Sequence, residues 1–136
     1  MTYGVAAALQ QAVYQILQAD PELTALVGDA VYDAVPPGFV SGTYVSLGPE
    51  DVREASDKTG HGALHEITVS VVTDSAGFSA AKAVATAVSD ALVDTTLALT
   101  RGTLVYLNFH RARARRVQDA DMRRIDLKFR ARVQDD

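Results

Sequence analysis

Few side chains in this sequence could do chemistry, and their spacing does not favour it. His61 and His65 stand four residues apart, the separation that puts two imidazoles on one helix face and lets them share a metal ion. Gly60, Gly62 and the strand-like pattern that follows argue against a helix there, so both are expected to be solvent-exposed loop histidines. His110 falls where a strand pattern changes phase; such irregularities can mark active sites, but a structural position is the plainer reading. Asp119-Ala120-Asp121 resembles the start of a calcium loop without the later glycine and glutamate, and reads as a turn. Gly-x-Ser-x-Gly, Walker and dinucleotide fingerprints are absent. No catalytic residue, metal site or cofactor is assigned.

One concentrated chemical feature remains: Arg111, Arg113, Arg115, Arg116, Arg123, Arg124, Arg130 and Arg132. Their guanidinium groups could pair with a partner's carboxylates or with phosphates, or form a solvated face partly neutralised by Glu66 and Asp126. The element that carries them has the clearest pattern in the chain. After Met122, Ile125, Leu127, Phe129, Ala131 and Val133 alternate with Arg124, Asp126, Lys128, Arg130 and Arg132, a period of two that predicts a strand with one dry and one wet face. Val105, Leu107 and Phe109 open its partner, which continues as Arg111-Ala112-Arg113-Ala114-Arg115-Arg116, so the small apolar residues move from odd to even positions near His110.

With Gln118-Asp119-Ala120-Asp121 as the turn, Val117 faces Met122, Ala114 faces Ile125 and Ala112 faces Leu127. Phe109 would then face Arg130 unless one extra residue near His110–Arg111, a β-bulge, pairs it with Phe129. The rival is a three- or five-residue loop without a bulge, which leaves Arg113 and Arg115 on the apolar face. The hairpin is expected to project, with its arginines as a partner or subunit interface and Val117 and Met122 as apolar anchors near its tip.

The rest of the chain must supply the layer that covers the hairpin's dry face. Val5 to Ala19 carries Val5, Leu9, Ala12, Val13, Ile16 and Leu17 at helical spacing. Asp20-Pro21-Glu22 caps a short second helix over Leu23 to Val27, which Gly28 ends. Val31-Tyr32-Asp33 and Tyr44 to Leu47 read as short strands, the second stopped by Gly48-Pro49. Pro49 to Gly62 has no apolar periodicity and predicts a long exposed loop, mobile and able to interact through Glu50, Asp51, Arg53, Glu54, Asp57 and Lys58; a plain surface excursion is the alternative. Leu64 to Thr73 is a strand with Ile67, Val69 and Val71 inward and Glu66, Thr68 and Ser70 outward, and Phe78 to about Val93 an alanine-rich helix. The sum is a two-layer α+β domain over residues 1–136: an antiparallel sheet of about four strands, two main helices on one face, and a long projecting C-terminal hairpin.

Composition narrows the function. At 136 residues, 48% hydrophobic and 22% charged, this is the composition of an ordinary globular domain. There is no cysteine, so thiolate chemistry is unavailable. No apolar run is long enough to span a membrane, and no basic segment precedes the first apolar stretch as in a signal peptide. Residues 1–100 carry 3 basic and 12 acidic side chains, net −9, and residues 101–136 carry 10 and 5, net +5, which together give the −4 of the chain. Such a bipolar molecule attracts copies of itself. A pI near 5.2 counts against nucleic-acid binding as the main activity.

With those residues laid out, the chain resembles the family of small phage tail-completion, or tail-terminator, proteins. The likeness runs through Ala8-Leu9-Gln10 to Tyr14, Ala25 to Pro36, Tyr44-Val45-Ser46-Leu47-Gly48, Lys58-Thr59, Gly77-Phe78-Ser79-Ala80-Ala81-Lys82 and Phe129-Arg130-Ala131-Arg132-Val133. None of these is a catalytic motif. The resemblance implies a structural virion protein and no enzyme. It further implies a ring, usually of six copies, that caps a finished tail tube at the head–tail joint, where a head-side connector docks. Its implied partners are other copies of itself, the tail tube protein, the connector or adaptor, and DNA passing through the lumen. Such a part is assembled in the bacterial cytoplasm and also serves gene transfer agents. The alternatives are a nucleic-acid-binding protein that uses the arginine ribbon, or a small enzyme with a diffuse site.

Overall fold

A computed structural model describes residues 3–38, 40–56, 61–93, 95–117 and 121–135. The elements in chain order are α1 (Ala6–Ala19), α2 (Pro21–Val27), β1 (Val31–Tyr32), β2 (Thr43–Glu54), β3 (His61–Thr73), α3 (Ser79–Leu92), β4 (Thr103–Val117) and β5 (Met122–Asp135). The strands form one sheet in the order β1-β2-β3-β5-β4, antiparallel except where Val31 and Tyr32 of β1 run parallel beside Val45 and Ser46 of β2. The fold is the expected α+β arrangement, with five strands instead of about four.

Local chemistry accounts for the helices. Leu9, Val13 and Leu17 of α1 and Ala81, Val84, Val88 and Leu92 of α3 are buried stripes at helical spacing. Asp20 caps α2 through a hydrogen bond from the Leu23 amide to its Oδ2 (3.0 Å), Pro21 needs no amide partner at the first helical position, and Gly28 closes the helix at φ +64°. These stripes cover one face of the sheet and form the core with Val45, Ile67, Val69, Val71, Ile125, Leu127, Phe129 and Val133. No helix among the described residues is long and apolar enough to cross a membrane.

The hairpin register is the bulged one. Phe109 pairs with Phe129, Arg111 with Lys128, Ala112 with Leu127, Ala114 with Ile125 and Val117 with Met122, leaving His110 as the extra residue. A second shift between Leu104 and Tyr106, not anticipated, makes Val105 another bulge residue. Gln118, Asp119 and Ala120 of the expected turn lie outside the described residues. The hairpin extends only slightly past the sheet, because β5 pairs with β3 as far as Arg123 with Thr73.

Three expectations need correction. Pro49 to Glu54 is the second half of β2, with Glu50 beside Ile67, Asp51 beside Glu66, Arg53 beside Leu64 and Glu54 beside Ala63. Charges occupy both faces of that stretch and β1 covers only Val45 and Ser46, so a true strand there shows no apolar period. Asp57 and Lys58 lie outside the described residues. Gly48-Pro49 is a bulge between the Leu47 and Glu50 pairings, where proline's missing amide is tolerated, and not a stop. Finally, β3 starts at His61, which puts His65 on the core face, fully buried, in place of an exposed loop. On the outer face Thr68 and Ser70 are buried as well, because the long side chains of β5 lie over this central strand.

Near the chain ends, Arg101 donates from Nε and Nη2 to the Asp135 carboxylate (3.0 and 2.8 Å), and its guanidinium lies against Gly4. The hydrogen bonding to Asp135, and then its negative charge, hold the Arg101 pKa above its ordinary value. Gly102 beside it has φ +74°.

Candidate functional site

Sheet order turns the charge asymmetry of the sequence into geometry. At one edge β4 carries Arg111, Arg113, Arg115 and Arg116 and no acid. At the other lie α1, α2, β1 and β2, drawn from a stretch whose first 52 residues hold six acids (Asp20, Glu22, Asp29, Asp33, Glu50 and Asp51) and no lysine or arginine. The exposed large hydrophobics divide the same way: Tyr3, Leu26 and Val35 on the acidic side, Val105, Tyr106 and Phe109 on β4.

The candidate interface residues fall into three groups. Arg111, Arg113 and Arg115 share the open face of the sheet, where with Lys128 and Asp126 they line a depression of about 690 Å³. Arg111 and Arg113 make no ion pair among the described residues, and Arg115 stands 4.0 Å from Asp126. Arg116 lies on the helix side, opposite Arg123. Arg123 and Arg124 are held within the chain: Arg123 Nη1 donates to the Ser75 carbonyl (3.1 Å) over the Phe78 ring, and Arg124 donates to Asp126 Oδ1 (2.8 Å) and Ser70 Oγ (3.0 Å). Val117 and Met122 are half-buried at the hairpin end.

The two acids expected to temper this face do so. Glu66 faces Lys128 at 3.7 Å and Arg130 at 4.0 Å. Burial alone would push the Asp126 carboxyl up, but hydrogen bonds from Ser70 and Arg124 and the charges of Arg124 and Arg115 hold it below the ordinary carboxylate value.

Beyond Leu104 and Leu107, β4 is covered on neither face. Leu107 is its one fully buried residue, and Phe109 remains 47% exposed although its ring meets buried Phe129 edge-on at 5.9 Å. On the helix side, α3 stops short and leaves a groove of about 380 Å³ floored by Phe109, Ala112, Ala114 and Leu127 and walled by Lys82, Ala85 and Ser89. The opposite edge has its own depression, about 450 Å³, lined by Tyr3, Ala6, Gln10, Tyr14, Asp33 and Glu50. Sequence reasoning passed over it; the absence of any basic residue before Arg53 was the available signal.

The histidines do not converge. His61 and His65 lie on one strand, where four residues span about 13 Å, too far to share a metal. Among the described residues no three His, Asp or Glu side chains group as a metal site. His65 pairs through Nδ1 with Glu50 Oε2 (3.1 Å) beneath the Tyr3 ring, and Nε2 has no hydrogen-bond partner among the described residues. His110, at its bulge, takes a hydrogen bond at Nε2 from Arg130 (3.2 Å).

Comparison with known proteins relates the chain to one family model and to solved structures. The family model described as "Tail completion protein gp17" matches residues 11–134. A chain in a solved structure titled "Virion of native gene transfer agent (GTA) particle" is 69% identical, with a TM-score of 0.92, covering 98% of this chain and 99% of that one. No curated protein matches.

Proposed function

Because the chain belongs to the family of tail completion protein gp17, we propose that it completes the tail of a phage-like virion as a ring of identical subunits at the head–tail joint. Its role in the virion tail is structural. The finer reading is a hexamer that caps the tube and presents a surface to the head-side connector.

The observation that carries it is the placement of opposite charge at opposite edges of one sheet. A closed ring needs a heterologous contact, in which two different patches of each copy meet. A rotation about an axis along the strands brings β4 of one copy beside the β1–β2 edge of the next. Exposed ion pairs contribute little each, about 0–1 kcal/mol, so charge selects partner and register while apolar groups near Phe109, Val117 and Met122 hold the joint. Sedimentation tests this: six copies of a 14.5 kDa chain give about 87 kDa at low salt, falling towards the subunit as salt shortens the Debye length to about 3 Å at 1 M. Arg115→Glu/Arg116→Glu should fold normally, since both residues are exposed, yet assemble poorly or fail to cap tubes. A variant that forms rings and caps tubes like the parent removes the ribbon from the joint.

The arginine-lined depression on the open face favours a second reading, in which that face meets DNA phosphates in the lumen. DNA affinity that falls steeply with salt and is lost in Arg113→Ala supports it.

A further inference from the structure

The depression on the β1–β2 edge has the chemistry of a receptor for cations. The ring of Tyr3, 64% exposed, and that of Tyr14 border it, with the carboxylates of Asp33, just past β1, and Glu50, within β2, beside α1. Among the described residues each carboxylate has one hydrogen-bond partner: Gln10 Nε2 donates to Asp33 Oδ1 (2.6 Å), and His65 Nδ1 donates to Glu50 Oε2 (3.1 Å). A carboxylate offers about four lone-pair sites, so both retain capacity for an arriving donor. Aromatic faces beside carboxylates suit a guanidinium, which stacks on a ring and presents a planar fork to the acid. A phosphate would be repelled.

The matching donor lies at the far edge of the same molecule and at the same height. Glu50 pairs with Ile67, Ile67 with Phe129, and Phe129 with Phe109, a row that crosses the sheet at one level. Arg111 is the next paired residue after Phe109, and it and Arg113 point to the open face, opposite to Phe109. They reach the depression when β4 of one copy overlaps the edge of the next with its open face against α1. The directions agree too. Strands β2, β3, β5 and β4 alternate, so a copy rotated about an axis along the strands sets its β2 antiparallel to β4. Bulges at Val105 and His110 and the row of arginines discourage unspecific strand addition to β4, leaving side-chain docking as its means of contact.

We propose that this depression is the receiving half of the subunit joint, and that Arg111 and Arg113 of the adjacent copy seat in it against Tyr3, Tyr14, Asp33 and Glu50. The inference rests on the ring reading and names the surface on which it depends.

Two charge-reversed variants test it, both confined to exposed residues. Gln10→Lys/Asp33→Lys makes the receiving edge basic, and Arg111→Glu/Arg113→Glu makes the donating edge acidic. Alone, each juxtaposes like charges, and its half-assembly concentration should rise roughly tenfold or more above the parent's. Mixed one to one, every contact again pairs opposite charges, and the two should co-assemble as an alternating ring of parental mass. Alternation closes only for an even number of subunits. Variants that assemble alone as well as the parent overturn the inference and leave the ring reading intact, as does a mixture that fails to assemble while both components keep the parental circular dichroism. A parent chain that stays a single subunit, with or without tail tubes, overturns the ring reading itself.

Discussion

Phe109 and Phe129 face each other across the hairpin, yet alanine at the two positions should have very different consequences. Phe129 is fully buried in the core and Phe109 is 47% exposed. Removing a buried phenylalanine costs about 3–5 kcal/mol through lost transfer energy and the cavity left behind. Between the sensitivities of smaller and larger domains, each kcal/mol should move the midpoint of a 136-residue chain by roughly 3–5 °C. Phe129→Ala should therefore lower the melting temperature by roughly 9–25 °C. At Phe109 about half of the burial is absent to begin with, and solvent fills the space instead of a cavity. The loss there is the edge-on ring contact plus a reduced transfer energy, about 1–2 kcal/mol, or roughly 3–10 °C. Thermal melts followed by far-ultraviolet circular dichroism, in high salt to separate the subunits of the proposed ring, make the comparison direct. Equal losses at the two positions would refute the reasoning, because Phe109 would then be covered within the isolated subunit and unavailable to a neighbour.

Other outcomes follow from single contacts. Asp20→Ala removes the cap of α2 and should cost about 1 kcal/mol in chemical denaturation. Asp126 has a folded pKa below its ordinary 3.8, so the stability it contributes is present above that value and is lost as pH falls through the lower folded one. Acid titration of Asp126→Asn should accordingly show a shallower loss below about pH 4 than the parent, with lower stability at neutral pH. Gly102 and Gly28 both have positive φ, but a Cβ on Gly102 would come within 2.6 Å of the Gln134 carbonyl oxygen, whereas one on Gly28 meets nothing within 4 Å. Gly102→Ala should thus melt lower than Gly28→Ala.

How legible each part was depended on whether the signal was local. The α2 cap and the two helical stripes depend on neighbouring residues, and they were readable. So was the bulge at His110, because strict alternation from Ile125 to Val133 leaves little freedom in the partner's register. The second half of β2 was not, since Glu50 to Glu54 carries charge on both sides and takes its strand geometry from β3. His65 illustrates the same point: a histidine tolerates the core face because Glu50 of the adjacent strand accepts from it, a contact separated by 15 residues. The charge imbalance was visible as a number. Its meaning as two opposed edges needed the strand order, which brings β5 between β3 and β4 and sends the arginines to the outside.

The cluster of Gly4, Arg101 and Asp135 has a practical consequence. It fastens both extremities of the described chain to one corner, at the end of β5 away from Met122. With 14 residues in β5 and about 3.4 Å per residue, that corner lies roughly 45 Å from Met122. A fluorophore or small density marker attached at either extremity would report from the same pole of the molecule. In a particle image it would show which way up each subunit stands.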